Sequence, residues 1–213
     1  MALMRVRPYG LQASIIDRLP AGAPAALREL LLAECSRHTL HCVDVIPAAS
    51  SVVVTHDAGD GGQIREIASG VIASAALRNI ALHRLESPVI EIPVRYDGAD
   101  LVEVATACSL SIDKVIALHC STTLVVEFCG FSPGFAYLRG LPAPLHLPRR
   151  ASPRARVPAG SVAIAAHYAA VYPSDSPGGW HLLGTTTLNM WDITHDRPSL
   201  LQPGDRVRFV RVD

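Results

Sequence analysis

Apolar and polar positions along this chain alternate with two different periods. The change of period marks where strands give way to helices. Arg5–Arg7 and Gln12–Asp17 predict two short strands on either side of a Pro8–Tyr9–Gly10 turn. Leu27, Leu30, Leu31 and Glu34 then fall at helical spacing, three of the four apolar, behind a Pro24 placed where the first turn of a helix tolerates it. Cys42–Ile46 and Val52–Thr55 are β-branched runs separated by the small residues of Pro47–Ser51. Ile64, Ile67, Ala68, Val71, Ile72 and Ala75 repeat at i, i+3, i+4, i+7 and predict a long helix. The order ββαββα over residues 1–83 predicts a small α+β domain, a sheet with its helices on one face.

Leu82–Pro88 has the pattern of a connector, and residues 84–213 predict a second, mainly β domain. Val89–Arg95 is a strand, Ala99–Cys108 and Ser111–His119 are two short helices, and Thr122–Phe128 is a strong strand. Ser111 is placed to cap the second helix, with Asp113 in its first turn where negative charge suits the helix dipole. Thr185–Ile193 leads to a turn at His195–Pro198, and a Pro203–Gly204–Asp205 turn precedes a last strand, Arg206–Val210. Short strands with one helical hairpin imply a barrel or a sandwich.

Between Gly130 and Gly184 lie eight of the sixteen prolines and seven of the fifteen glycines. Such density excludes a long helix and predicts short strands joined by fixed turns. Arg139, Arg149, Arg150, Arg154 and Arg156 face one acid, Asp175, a local surplus of +4 in a chain whose net charge is zero. With Pro148, Pro153 and Pro158 stiffening the backbone, some of the last four arginines, unpaired by any local acid, are expected to converge on one surface and meet an anionic ligand or an acidic partner surface, because guanidinium matches a carboxylate or phosphate. The alternative is a proline-stiffened β domain with solvated arginines.

Composition narrows the class. The chain of 213 residues is 49% hydrophobic and 18% charged, which is a folded chain with a real core. Zero net charge gives no electrostatic reason to expect nucleic acid. No apolar run reaches the length of a membrane span, and Met1–Gly10 lacks an apolar leader core, so neither membrane nor secretion is expected. The five cysteines are odd in number and none are spaced CxxC. They read as reduced thiols of a cytoplasmic protein.

Several motifs suggest chemistry that their residues do not support. Gly130–Phe131–Ser132–Pro133–Gly134 matches the G-x-S-x-G nucleophile elbow, but Pro133 has no N–H to give an oxyanion hole and the segment continues into a proline-rich turn rather than a helix. Leu101–His119 resembles a helix-turn-helix, yet its second helix offers only Lys114 beside Asp113, so a packed helical hairpin is expected. His119 lies on the apolar stripe of Ile112, Val115 and Ile116 and is expected in the core. His181, after the Gly178–Gly179–Trp180 turn, is the better pocket candidate. No HxH or HExxH spacing indicates a metal.

Phe131–Leu138 (FSPGFAYL), Pro148–Ile164 (PRRASPRARVPAGSVAI), Tyr172–Gly184 (YPSDSPGGWHLLG) and Leu201–Phe209 (LQPGDRVRF) resemble, in order, the family that holds the B subunit of 5-oxoprolinase, KipI and allophanate hydrolase subunit 1. The likeness is dense from about Ile90 to Val212 and looser before it. It implies a cyclophilin-like β-barrel after a small α+β domain. It also implies work as one member of a multi-subunit ATP-dependent 5-oxoprolinase, opening 5-oxo-L-proline to L-glutamate. Its partners there would be an A subunit and a larger related C subunit, the latter similar to KipA and allophanate hydrolase subunit 2. ATP belongs to the complex, and neither metal nor biotin is indicated in this chain. The same likeness keeps open a KipI-like inhibitor of a sensor histidine kinase and a carboxyltransferase-type protein acting on urea-derived substrates. For a small carboxylate or its acyl-phosphate, the expected binding residues are Arg154 and Arg156 first, then Ser132, Phe131, Gly134, Gly178, Gly179, Trp180 and His181. No catalytic acid–base pair is assigned. Two departures bear on the substrate: Ala166–Ala170 replaces a glycine-rich turn, and Thr185 stands where the family usually has Arg.

Overall fold

The computed structural model describes residues 4–20, 22–38, 40–74 and 88–213. The chain separates into two compact units, Met1–Ser87 and Pro88–Asp213. The expected helix position Ala75, the connector up to Ser87 and the boundary between residues 83 and 84 lie outside the described residues. Among the described residues no helix is long and apolar enough to cross a membrane.

In the first unit, β1 (Arg5–Pro8) and β2 (Ala13–Asp17) form an antiparallel hairpin in which Val6 faces Ile16. Helix α1 (Ala23–Arg37) carries proline in its first turn, where a missing N–H costs nothing. Strands β3 (Cys42–Pro47) and β4 (Val52–His56) and helix α2 (Gly61–Ala73) complete the order ββαββα. The sheet runs β1-β2-β4-β3, all antiparallel. Ile16, Val45, Val52 and Val54 from the sheet share one core with Leu27, Leu31 and Cys35 of α1 and Ile64, Ala68 and Val71 of α2. The two helical stripes therefore cover the same face of the sheet.

The second unit is a barrel-like sheet of seven strands. These are β5 (Val89–Val94), β6 (Leu124–Cys129), β7 (Ala136–Arg139), β9 (Ser161–Ala165), β10 (Tyr168–Val171), β12 (His181–Thr185) and β13 (Arg206–Arg211), in the order β12-β9-β10-β7-β6-β13-β5. Just past β5, Arg95 exchanges backbone hydrogen bonds of 2.9 and 2.8 Å with Thr185 at the end of β12, joining the two edges. The seam is tight. A side chain on Gly98 would strike the backbone of Leu182 and Leu183, and one on Gly184 would strike Arg95 O. Helices α3 (Leu101–Ala107) and α4 (Ile112–Ser121) form the packed hairpin, contributing Leu101, Val104, Val115 and Ile116 to the barrel core. Ser111 caps α4, its Oγ accepting from Lys114 N at 3.2 Å.

Strand alternation sorts the barrel residues between two cores. Leu138, Val162, Ile164, Ala169, Val171 and Leu183 point inward. Their neighbours Phe135, Ala163, Ala165, Ala170, Tyr172 and Leu182 belong to a second cluster with Val157 and Trp180. That second face is covered by a two-stranded ribbon, β8 (Arg154–Val157) with β11 (Ser176–Gly178). The outward alanines of β9 and β10 are small, and this leaves room for aromatic rings beneath the ribbon. His119 is a core residue: it is 1% exposed, stacks on Phe209 and is 2.7 Å from Tyr96 Oη, and burial pushes its pKa down to about 3.

Candidate functional site: an aromatic cavity under Arg149

The Gly130–Phe135 loop joins β6 to β7 as a tight turn. Gly130 N donates to Phe135 O (3.1 Å) and Phe135 N to Ser132 O (3.0 Å), with Pro133 and then Gly134 (φ 80°) at the corner. Phe131 is held at φ 73°, a left-handed conformation unusual for a bulky residue. This turn between antiparallel strands is no nucleophile elbow. Ser132 Oγ is buried with no hydrogen-bond partner among the described residues, so no base activates it.

Phe131, Phe135, Tyr137, Tyr172 and Trp180 wall a cavity of about 70 Å³, closed by Pro177, Gly178, Gly179 and Arg149. The rings meet edge to face: Phe135 lies 5.5 Å from Trp180 and 5.3 Å from Tyr172, and Tyr137 lies 5.6 Å from Trp180. Such contacts fix ring orientation as well as burying area. Gly178 is required by space, because a side chain there would overlap the Tyr172 hydroxyl. Burial raises the Tyr172 phenol above its ordinary pKa, while a backbone hydrogen bond from Trp180 and the Arg149 charge pull it back. Phe131 stays 60% exposed at the mouth.

The arginines do not form the unpaired cluster that local charge suggests. Acids distant in sequence reach four of the five. Arg150 Nη1 is 2.8 Å from both Asp100 Oδ1 and Glu103 Oε2, and Arg154 Nη2 is 2.6 Å from Asp100 Oδ1. Arg139 pairs with the buried Glu127 at 3.0 Å, and Arg156 Nε with Asp175 Oδ2 at 2.8 Å. Asp100, only 2% exposed, also accepts from Leu182 N at 2.8 Å. Burial pushes the Asp100 carboxyl up, but the Arg154 and Leu182 hydrogen bonds and the charges of Arg154 and Arg150 outweigh it and hold it below the usual carboxylate range. Arg149 alone among these five has no ion pair with a described residue.

The expected site residues thus divide. Phe131, Gly178, Gly179 and Trp180 meet at the cavity, and Ser132 and Gly134 shape the turn that carries Phe131. Arg154 is engaged with Asp100 and Arg156 with Asp175 on the surface. His181 is not in a turn at the pocket. It opens β12 opposite Ile164, is 7% exposed, and bonds through Nε2 to Pro148 O at 2.9 Å. Phe135, Tyr137 and Tyr172 went unassigned in the sequence, and Arg149 was singled out only as one of the arginine cluster, although the alternation of Phe135 and Tyr137 with Ala136 and Leu138 already placed the two rings on one face. The two departures are local. Ala166 takes φ 51° in the short β9–β10 connection, and Thr185 Oγ1 donates to Asp97 at 2.9 Å. Among the described residues no group of three His, Cys, Asp or Glu side chains converges as a metal site.

The mainly β, barrel-like sheet falls in the carboxyltransferase fold. The chain belongs to the family described as carboxyltransferase domain, subdomain C and D, which matches residues 4–201. It is 56% identical over 128 residues to the B subunit of 5-oxoprolinase from Escherichia coli O157:H7, a match spanning 59% of this chain and 59% of that protein. Its structure is similar to that of TTHA0988, with TM-score 0.79 and 36% identity over 98% of this chain but 41% of the longer one. It is also similar to the uncharacterized protein PH0987 from Pyrococcus horikoshii, with TM-score 0.57 and 32% identity over 98% of both chains.

Proposed function

We propose that this chain is the B subunit of an ATP-dependent 5-oxoprolinase and that the aromatic cavity under Arg149 receives the carboxylate-bearing substrate. The observation that carries this is a guanidinium with no ion pair to a described residue, lining an aromatic cavity, in a chain 56% identical over 128 residues to a protein named as the B subunit of 5-oxoprolinase. A small lactam ring suits aromatic walls, and its carboxylate suits the planar fork of Arg149. Arg154 supports this site through Asp100, Arg156 stays on the surface with Asp175, and Ser132 acts through the turn. The second unit is a cyclophilin-like barrel and residues 1–83 a separate α+β domain. The protein works in the cytoplasm with an A subunit and a larger C subunit, and ATP is consumed by the complex.

Arg149 provides binding and charge neutralisation, an electrostatic contribution. Among the described residues the cavity walls offer no paired carboxylates and no histidine, and the groups that move protons are assigned to the complex. The test is turnover of 5-oxo-L-proline with ATP by this chain alone, with the C subunit, and with the A and C subunits together. Only the full set should turn over. Arg149→Ala should lower its kcat/KM by at least about tenfold, as expected for losing a charge-assisted pair. Full turnover by the isolated chain, or wild-type kcat/KM in Arg149→Ala, refutes the proposal.

A further inference from the structure

We propose that His181 is a positioning residue that aims Arg149 into the cavity, an inference that rests on the Arg149 site proposed above. Two hydrogen bonds bracket Arg149 in the backbone. On one side His181 Nε2 meets Pro148 O at 2.9 Å, and on the other Arg150 N donates to Gly179 O at 2.8 Å. The 148–150 segment is thereby stitched to the 179–181 segment, which supplies Gly179 and Trp180 to the cavity wall.

The chemistry of the first bond is fixed. A proline carbonyl only accepts, so His181 Nε2 carries a proton and donates it. Nδ1 is buried without a hydrogen-bond partner among the described residues and lies 4.0 Å from Glu103 Oε1, a carboxylate already bonded to Arg150. Nothing else in the described structure demands an imidazole here, and His181 does not line the cavity. Its effect on a ligand must pass through Pro148.

Geometry says what that effect is. Arg150 turns inward to Asp100 and Glu103, and Arg149 turns to the cavity. Pro148 and Arg149 are themselves exposed, so packing does not hold them. The His181 bond and the Arg150 side of the stitch fix the peptide planes on either side of the Arg149 Cα. A guanidinium at the end of a long flexible stem binds best when its root is fixed, because less freedom is lost on binding.

Titration calorimetry of 5-oxo-L-proline into the full chain, alone and with its partner proteins, tests this alongside hydrogen exchange at the Arg150 amide. His181→Leu should raise Kd by about tenfold. His181→Gln, whose amide N–H can reach Pro148 O, should stay within about threefold of wild type. In an Arg149→Met background His181→Leu should change nothing further, because the interaction it serves is already gone. Exchange at the Arg150 amide should quicken in His181→Leu and not in His181→Gln, and thermal midpoints should stay close to wild type. Wild-type Kd in His181→Leu overturns the proposal, and so does an equal effect in both backgrounds, which marks a general loss of structure. Faster Arg150 exchange in His181→Leu, with no 5-oxo-L-proline binding by wild type, would instead retain the positioning role and reject the substrate assigned to the site.

Discussion

Replacing Asp100 by alanine should destabilise the second unit more than any change at the arginines themselves. Asp100 is 2% exposed and accepts from Arg150, Arg154 and Leu182 N, so one carboxylate joins the start of α3 to β8 and β12. Its loss leaves Arg154 with no described carboxylate in contact and Arg150, among the described residues, with only the exposed Glu103. Removing one partner of a buried ion pair costs about 3–5 kcal/mol. The two guanidiniums are 25% and 26% exposed, so water covers part of the loss, and about 3 kcal/mol is expected. For a unit of this size that lowers the melting temperature by roughly 10 °C. The pH dependence has a definite sign. The folded pKa of Asp100 lies below its unfolded value of about 3.9, so its contribution is complete above that pH and is lost as pH falls through the folded value. Circular-dichroism melts from pH 7 to pH 3 should show the gap between wild type and Asp100→Ala narrowing only at the acid end. A melting temperature within about 2 °C of wild type at pH 7 would refute the claim that this carboxylate holds the arginines in place.

Three further outcomes follow from single contacts. Gly178→Ala should keep the fold but displace the Tyr172 hydroxyl and abolish 5-oxo-L-proline binding by calorimetry; unchanged affinity would mean that the ligand does not use this cavity. Ser132→Ala removes a buried hydroxyl that has no partner among the described residues, so urea unfolding should show stability equal to wild type or up to about 1 kcal/mol higher, with activity of the complex retained. Covalent labelling of Ser132 by a serine-directed phosphonate would contradict that. Ala166→Gly relieves φ 51° and should raise stability by a few tenths to about 1 kcal/mol, read as a higher urea midpoint at constant slope.

The sequence by itself determined what depends on near neighbours. The ββαββα order, the helical hairpin with its Ser111 cap and the turn at Pro133–Gly134 all follow from spacing, capping and the backbone limits of proline and glycine. The serine elbow could be dismissed for the same reason, since the missing N–H of Pro133 is a covalent fact. What the sequence left undecided was which charges are free. Read locally, Arg149, Arg150, Arg154 and Arg156 are four equivalent cations short of acids. The barrel brings Asp100, 54 positions before Arg154, into the middle of them, and Glu103 comes with it on the same helix. Coulomb attraction acts through space and not along the chain, so pairing is settled only when strands and helices have found their register. Closure of β5 onto β12 carries Asp100 to Leu182, and the ribbon of β8 and β11 lays the arginines over it. Arg149 is left over because, unlike its neighbour Arg150, it faces the cavity, whose rings come from the Gly130–Phe135 loop, β7, Tyr172 just after β10, and Trp180.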